Sequence, residues 1–183
     1  MKKALYIFLA IMVILFGFLA FNGLMRSPIV VEKEVPGYQL MCLDFKGPYH
    51  EIGNTFETLQ SKCLEAGVKS NLLGIYLDNP ETVAEENLRS KACVIIQPGD
   101  SAKLAALGCT PYALPGGEAL TVDWSYNNMV GMMIGIFKSY AALGEKSKEL
   151  NCREQIGHVY ERYYEGGEEF VFLKDNVLMP QNP

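Results

Sequence analysis

The feature that most constrains this chain is its start. From Ala4 to Leu24, "ALYIFLAIMVILFGFLAFNGL" runs for 21 residues without a charge. About 20 apolar residues in a helix span the hydrocarbon core of a bilayer, where the backbone has to satisfy its own hydrogen bonds. A secretory signal peptide also opens on a short positive stretch such as Lys2 and Lys3, but its apolar region is shorter and ends at a small-x-small site. Phe21, Asn22 and Met25 spoil the frames such a site would use. We read residues 1–26 as an uncleaved, single-pass transmembrane anchor with residues 4–24 in the lipid. Lys2 and Lys3 precede the span, whereas Arg26 and Lys33 follow it among Glu32 and Glu34. The positive-inside bias favours a cytoplasmic amino end and a domain on the extracytoplasmic side.

The remainder is long enough for one domain with its own core. A formal net charge of -5 excludes a nucleic-acid surface, which needs clustered Lys and Arg. The five cysteines (Cys42, Cys63, Cys93, Cys109, Cys152) include no C-x-x-C pair, and His50 and His158 are the only histidines. No metal site is expected from that set. Cys63 and Cys93 fall in apolar periodic stretches and read as buried free thiols, with one disulfide open if the domain lies outside the cytoplasm.

Ser27 to Gly37, with Pro28 and Pro36, reads as a linker, 38–176 as the domain and 177–183 as a short tail. Within the domain a strand-helix-strand-strand pattern recurs. "YQLMCLDF" is a strand, and Ile52, Phe56, Leu59 and Cys63 then mark one buried face of a helix. "LLGIYL" and "KACVII" are strands. In the second copy a strand from Ala119 to Trp124 precedes a helix, and aligning Tyr126 with Tyr49 puts Met129, Met133, Ile136 and Tyr140 on the equivalent face. "IGHVYERYY" and "EEFVFLK" close it as a hairpin, and Ser101 to Leu107 is a short connecting helix. Gly131 and Gly135 let the second helix sit close to the sheet. The fold expected is α+β: two pseudo-symmetric repeats with a central cleft, preceded by a transmembrane helix.

"FKGPYHEIGNTFETL", "GIYLDNPETV", "LRSKACVII", "YALPGG" and "YERYYEGGEEFVFL", in that order, resemble the GyrI-like small-molecule-binding family. With its anchor, the chain is similar to the membrane-bound GyrI-like receptors for selective autophagy of the endoplasmic reticulum, without the acidic tail on which their activity depends. The resemblance implies a ligand cleft between two repeats and a glutamate flanked by aromatics near the start of the penultimate strand. The matching position is Glu161, with Tyr163 two residues on.

Two readings of Glu161 stand at this point. It is a solvent-facing strand residue, or a buried carboxylate in an aromatic cleft. By repeat alignment it falls on Ile75 or Leu77, so a carboxylate replaces an aliphatic residue. A buried carboxylate is costly to desolvate, and a planar lipophilic cation offsets that cost by charge and by cation–π contact. Tyr49, Tyr76, Trp124 and Tyr126 are the expected lining. Glu168 and Glu169 read as a solvated hairpin end, the acids of "DNPETVAEE" as a polar loop, His50 as a surface or capping residue, and His158 as facing away from Glu161. The function expected is binding of a small hydrophobic or cationic ligand, with no cofactor, no catalytic residue assigned and no named protein partner. The alternatives are a hydrolase of electrophiles using Glu161 as general base, and a protein-interaction module at the membrane.

Overall fold

The computed structural model describes residues 2–69, 71–152 and 156–174; the expected tail, 177–183, lies outside them. In chain order the elements are α1 (Lys2–Leu19), β1 (Val31–Val35), β2 (Tyr38–Lys46), α2 (Gly53–Ala66), β3 (Leu72–Tyr76), β4 (Arg89–Ile95), α3 (Asp100–Ala106), β5 (Thr110–Leu114), β6 (Gly117–Ser125), α4 (Met129–Glu149), β7 (Ile156–Tyr164) and β8 (Gly167–Lys174). A π-helical turn, Ala20–Leu24, extends α1. Lys2–Leu24 is long and apolar enough to cross a membrane.

The strands form one antiparallel sheet in the order β1-β6-β8-β7-β3-β4-β2-β5. Exchanging each strand with the one four places away in number reverses this order onto itself, so the α+β fold carries the expected twofold repeat. Each repeat has one strand more than its sequence announced. β1 lies inside the stretch read as a linker and pairs with β6, and β5 pairs with β2. Each extra strand is a short sheet edge, and Glu32, Lys33, Glu34 in one and Pro111 in the other mask the strand pattern, as charges and proline do at edges.

One sheet face carries no helix. All eight strands contribute to its core, among them Val35, Leu40, Ile75, Leu114, Ala119, Tyr160 and Val171. An uncovered apolar face can leave water only by curling on itself, which makes the sheet a half-barrel. The other face is covered by α2 over Met41, Leu59, Cys63 and Val94, and by α4 over Leu120, Val122, Trp124 and Phe170. Cys42 and Cys93 stand opposite each other on β2 and β4 and form a disulfide. Cys93 is therefore not the free thiol expected, because the ladder places it directly across from a second cysteine; Cys63, Cys109 and Cys152 are free and buried.

The second helix is rotated from the expected face. Its buried stripe is Gly131, Gly135, Ser139, Leu143 and Ser147, whereas Met129 and Met133 are exposed. The cause is Trp124. Its indole fills the space below α4 and donates to the Gly131 carbonyl at 3.0 Å. A Cβ on Gly135 would stand 2.2 Å from that ring, so only small residues fit this face. Gly144 has nothing within 4 Å of a Cβ. Gly135→Ala should therefore destabilise by about 1–3 kcal/mol through overpacking, while Gly144→Ala should stabilise by about 0.5–1 kcal/mol. Chemical denaturation of both variants checks the sign of each change.

Candidate functional site

Glu161 lies in the middle of β7, on the helix-covered face, and is only 4% exposed. Three phenols donate to it, each from a different element or position. Tyr163, two residues on, reaches Oε2 at 2.5 Å; Tyr76 of β3 reaches Oε2 at 2.9 Å; Tyr140 of α4 reaches Oε1 at 2.8 Å. The Tyr76 and Tyr163 hydroxyls are 3.2 Å apart. Directly across the ladder from Glu161 is Gly74, where a Cβ would come within 3.3 Å of both hydroxyls and of the Phe56 ring. Gly74 thus keeps open the volume the hydroxyls occupy. Ile75, one of the expected repeat counterparts, is fully buried in the core of the opposite face.

Burial pushes the Glu161 carboxyl above its ordinary range, and the bonds from Tyr163, Tyr140 and Tyr76 pull it back. Burial, and then the Glu161 charge, raise all three phenols well above their ordinary range, so they remain protonated donors. Around this cluster the rings meet edge to face: Phe56 on Tyr163 at 5.3 Å and Tyr49 on Tyr76 at 4.9 Å between centroids. Tyr49 and Tyr140 both line a groove of about 370 Å³ together with His50, Pro80, Glu85, Leu88, Ile136 and Phe137. Tyr49 is fixed there because its hydroxyl donates to the Asp78 carbonyl and accepts from the Asp78 amide, and Asp78 in turn holds the Arg89 guanidinium. Glu161 sits below this groove, with Tyr140 belonging to both.

The "EEF" acids are not solvated. β8 is an interior strand between β6 and β7, so its first turn is covered on both sides. Glu169 points to the curled face and is neutralised by Lys33 and Arg162. Glu168 points to the site face, is 0% exposed, and has no hydrogen-bond partner for either oxygen among the described residues. Desolvation, and next the Glu161 charge, raise its pKa to about 8. One buried carboxyl is therefore rich in donors and its neighbour has none.

Of the expected lining, the structure brings Tyr76 and Tyr163 onto Glu161 and puts Tyr49 one ring away, at the groove. Trp124 and Tyr126 make no hydrogen bond to Glu161. Trp124 is the floor under α4, and Tyr126 lines a hollow of about 210 Å³ with Asn22, Gly23 and Arg26. His158 is bonded to Tyr112, and His50 is an exposed residue at the groove rim. Tyr140, Glu168 and Gly74 were not anticipated as site residues. Tyr140 carried a signal, being the one phenol on an otherwise aliphatic stripe; Gly74 and Glu168 could be found only from the ladder register.

The GyrI-like small molecule binding domain family model matches residues 28–175. Among solved structures the chain resembles the EcmrR C-terminal domain (15% identity, TM-score 0.61, covering 82% of this chain and 99% of that one). It also resembles a hydrolase from Listeria innocua (10%, TM-score 0.55, 81% and 93%) and SAV2435 bound to tetraphenylphosphonium (9%, TM-score 0.51, 81% and 94%). No curated protein matches.

The raised Glu168 pKa fixes a sign for stability. Between 4.5 and about 8 the folded chain holds this proton and the unfolded chain releases it, so the contribution is complete below 4.5 and is lost as pH rises towards 8. Glu168→Gln keeps the site neutral throughout. Its Tm should exceed that of the wild type by about 5 °C or more at pH 8 and by much less at pH 5. An equal difference at both pH values, in calorimetry, would refute the assignment.

Proposed function

This chain belongs to the GyrI-like small-molecule-binding domain family, and from that premise we propose that it is a membrane-anchored receptor for a lipophilic cation, held over Glu161 by tyrosine faces. The observation that supports the reading is the state of Glu161: buried, bonded by three hydroxyls, and without a salt-bridge partner among the described residues. Hydroxyls alone leave a desolvated charge undercompensated, and an organic cation supplies the missing counter-charge without a strict shape. Tyr140 is the side chain an entering cation meets first, since it lines the groove and donates to Glu161. The adjacent Glu168 deepens the negative potential when it ionises.

Tetraphenylphosphonium is a suitable probe because its charge does not change with pH. For the full chain in detergent, at about a hundred times the Kd, bound ligand should add roughly 2.7 kcal/mol of stability, a readily measured rise in Tm. Glu161→Gln should abolish the rise. A rise that survives Glu161→Gln would defeat the proposal.

One observation favours a second reading, hydrolysis of an electrophile. Neighbouring carboxyls in unlike surroundings can divide the acid and base roles: Glu161 accepts from three hydroxyls, while Glu168 has no donor among the described residues and a pKa raised to about 8. Turnover of a reactive electrophile that is lost in both Glu161→Gln and Glu168→Gln would select it.

The Cys42–Cys93 disulfide, together with Lys2 and Lys3 before the span, supports a domain on the extracytoplasmic side. Alkylation of the denatured, unreduced chain from membranes should label three cysteines, and all five after reduction. Labelling of five without reductant would place the domain in a reducing compartment.

A further inference from the structure

Helices α2 and α4 occupy equivalent places on the sheet, yet their outward faces differ. On α2 the outward residues include Asn54, Glu57, Ser61 and Glu65, and Leu64 is its lone exposed large apolar side chain. On α4 the outermost row at four-residue spacing is Met129, Met133, Phe137, Ala141 and Glu145. Its first three members are 74%, 43% and 70% exposed. A contiguous apolar row on a charged domain marks a contact surface.

Its position says with what. The row is apolar only along the half of α4 that adjoins the anchor. At one end, the Asn22 side chain, itself bonded to the Phe18 carbonyl of α1, accepts from the Asn128 amide that caps α4. At the other, the Lys138 ammonium donates to the Leu24 and Arg26 carbonyls, the last of the anchor. Gly23, at φ +99°, turns the chain where a side chain would strike Trp124, and the Arg26 guanidinium lies 3.5 Å over that indole. The exit from the span is thus laid along α4, and its own exposed residues, Phe21 and Met25, continue the apolar surface. Beside it stand two cations, Arg26 and Lys138, of the kind that bilayer phosphates attract.

We propose that Met129, Met133 and Phe137 rest against the headgroup–acyl boundary of the bilayer that the anchor crosses. The inference rests on the anchor reading of residues 4–24. It also names a ligand class: Phe137 lines the groove above Glu161, so the groove rim meets lipid, and the cation taken there is an amphiphile dissolved in the membrane surface rather than a freely diffusing polar one.

Trp124 is the single tryptophan and is 1% exposed, so it provides a constant background. Met129→Trp, Met133→Trp and Phe137→Trp are made one at a time in the full chain, reconstituted in phosphatidylcholine nanodiscs carrying a headgroup nitroxide. Leu64→Trp is the control on the equivalent helix. Quenching at 129, 133 and 137 should be at least twofold stronger than at 64. Quenching no stronger than at 64, in discs that retain the protein, overturns the inference and leaves the anchor standing. Absence of quenching with a doubled mass per disc overturns it in favour of a second copy on this row. A chain that does not partition with the discs removes the anchor and this inference together.

Discussion

A carboxylate placed in the middle of a sheet is costly unless its oxygens are met, and the arrangement around Glu161 is an answer to that cost. Hydroxyls have to come from both central strands and from the helix above. Tyr163 and Tyr76 can converge only because the residue across the ladder, Gly74, has no side chain. Tyr140 can reach only because α4 lies close to the sheet, which in turn needs glycine or serine at 131, 135 and 139. The small-residue stripe and the phenol are on one helix for one reason: the first sets the depth at which the second works.

The same helix is tied to the long apolar N-terminal helix. α4 begins at an amide chain running from Phe18 through Asn22 to Asn128, and Lys138 donates to the Leu24 and Arg26 carbonyls. A positive group at a helix carboxyl end is favourable where those carbonyls lack other donors. Tyr140 is less than one turn beyond the second of these ties, so one helix serves both the site and the contact with the N-terminal helix. The strand β1, lying in the stretch that composition alone assigns to a linker, tightens the same connection by pairing with β6.

Much of this was legible in the residues. The α+β repeat was read from periodicity, and the position of Glu161 from strand alternation, the family resemblance and a departure from the first repeat's aliphatic pattern. Tyr163 followed from strand alternation, which fixes a face without knowing the partner strand, and Tyr76 from its place on the first-repeat strand. What was illegible depended on partners distant in sequence. The disulfide needs Cys42 and Cys93 to be opposed across β2 and β4. The rotation of α4 needs Trp124 to be under it, so Met129 and Met133, read as core, face outward. Trp124 and Tyr126, read as pocket lining, serve the anchor junction because β6 ends beside Gly23 and Asn22.

Glu168 and Glu169 make the point most sharply, since adjacent identical residues have opposite fates. Alternation sends them to opposite faces, and each face has a different inventory of charge. On the curled face Lys33 of β1 and Arg162 of β7 arrive from two neighbouring elements, and Glu169 is an ordinary paired acid with ammonium and guanidinium donors. On the site face, the titratable groups that feel Glu168 are Glu161, Tyr76, Tyr126 and Tyr140, and none is basic. A buried acid with no donor holds its proton to higher pH, the direction seen for Glu168. Composition reads "GGEEF" as a polar turn because it cannot know that β8 is interior. Once the strand order is known, Glu169 is a paired acid of the curled face and Glu168 a buried one on the face of Glu161.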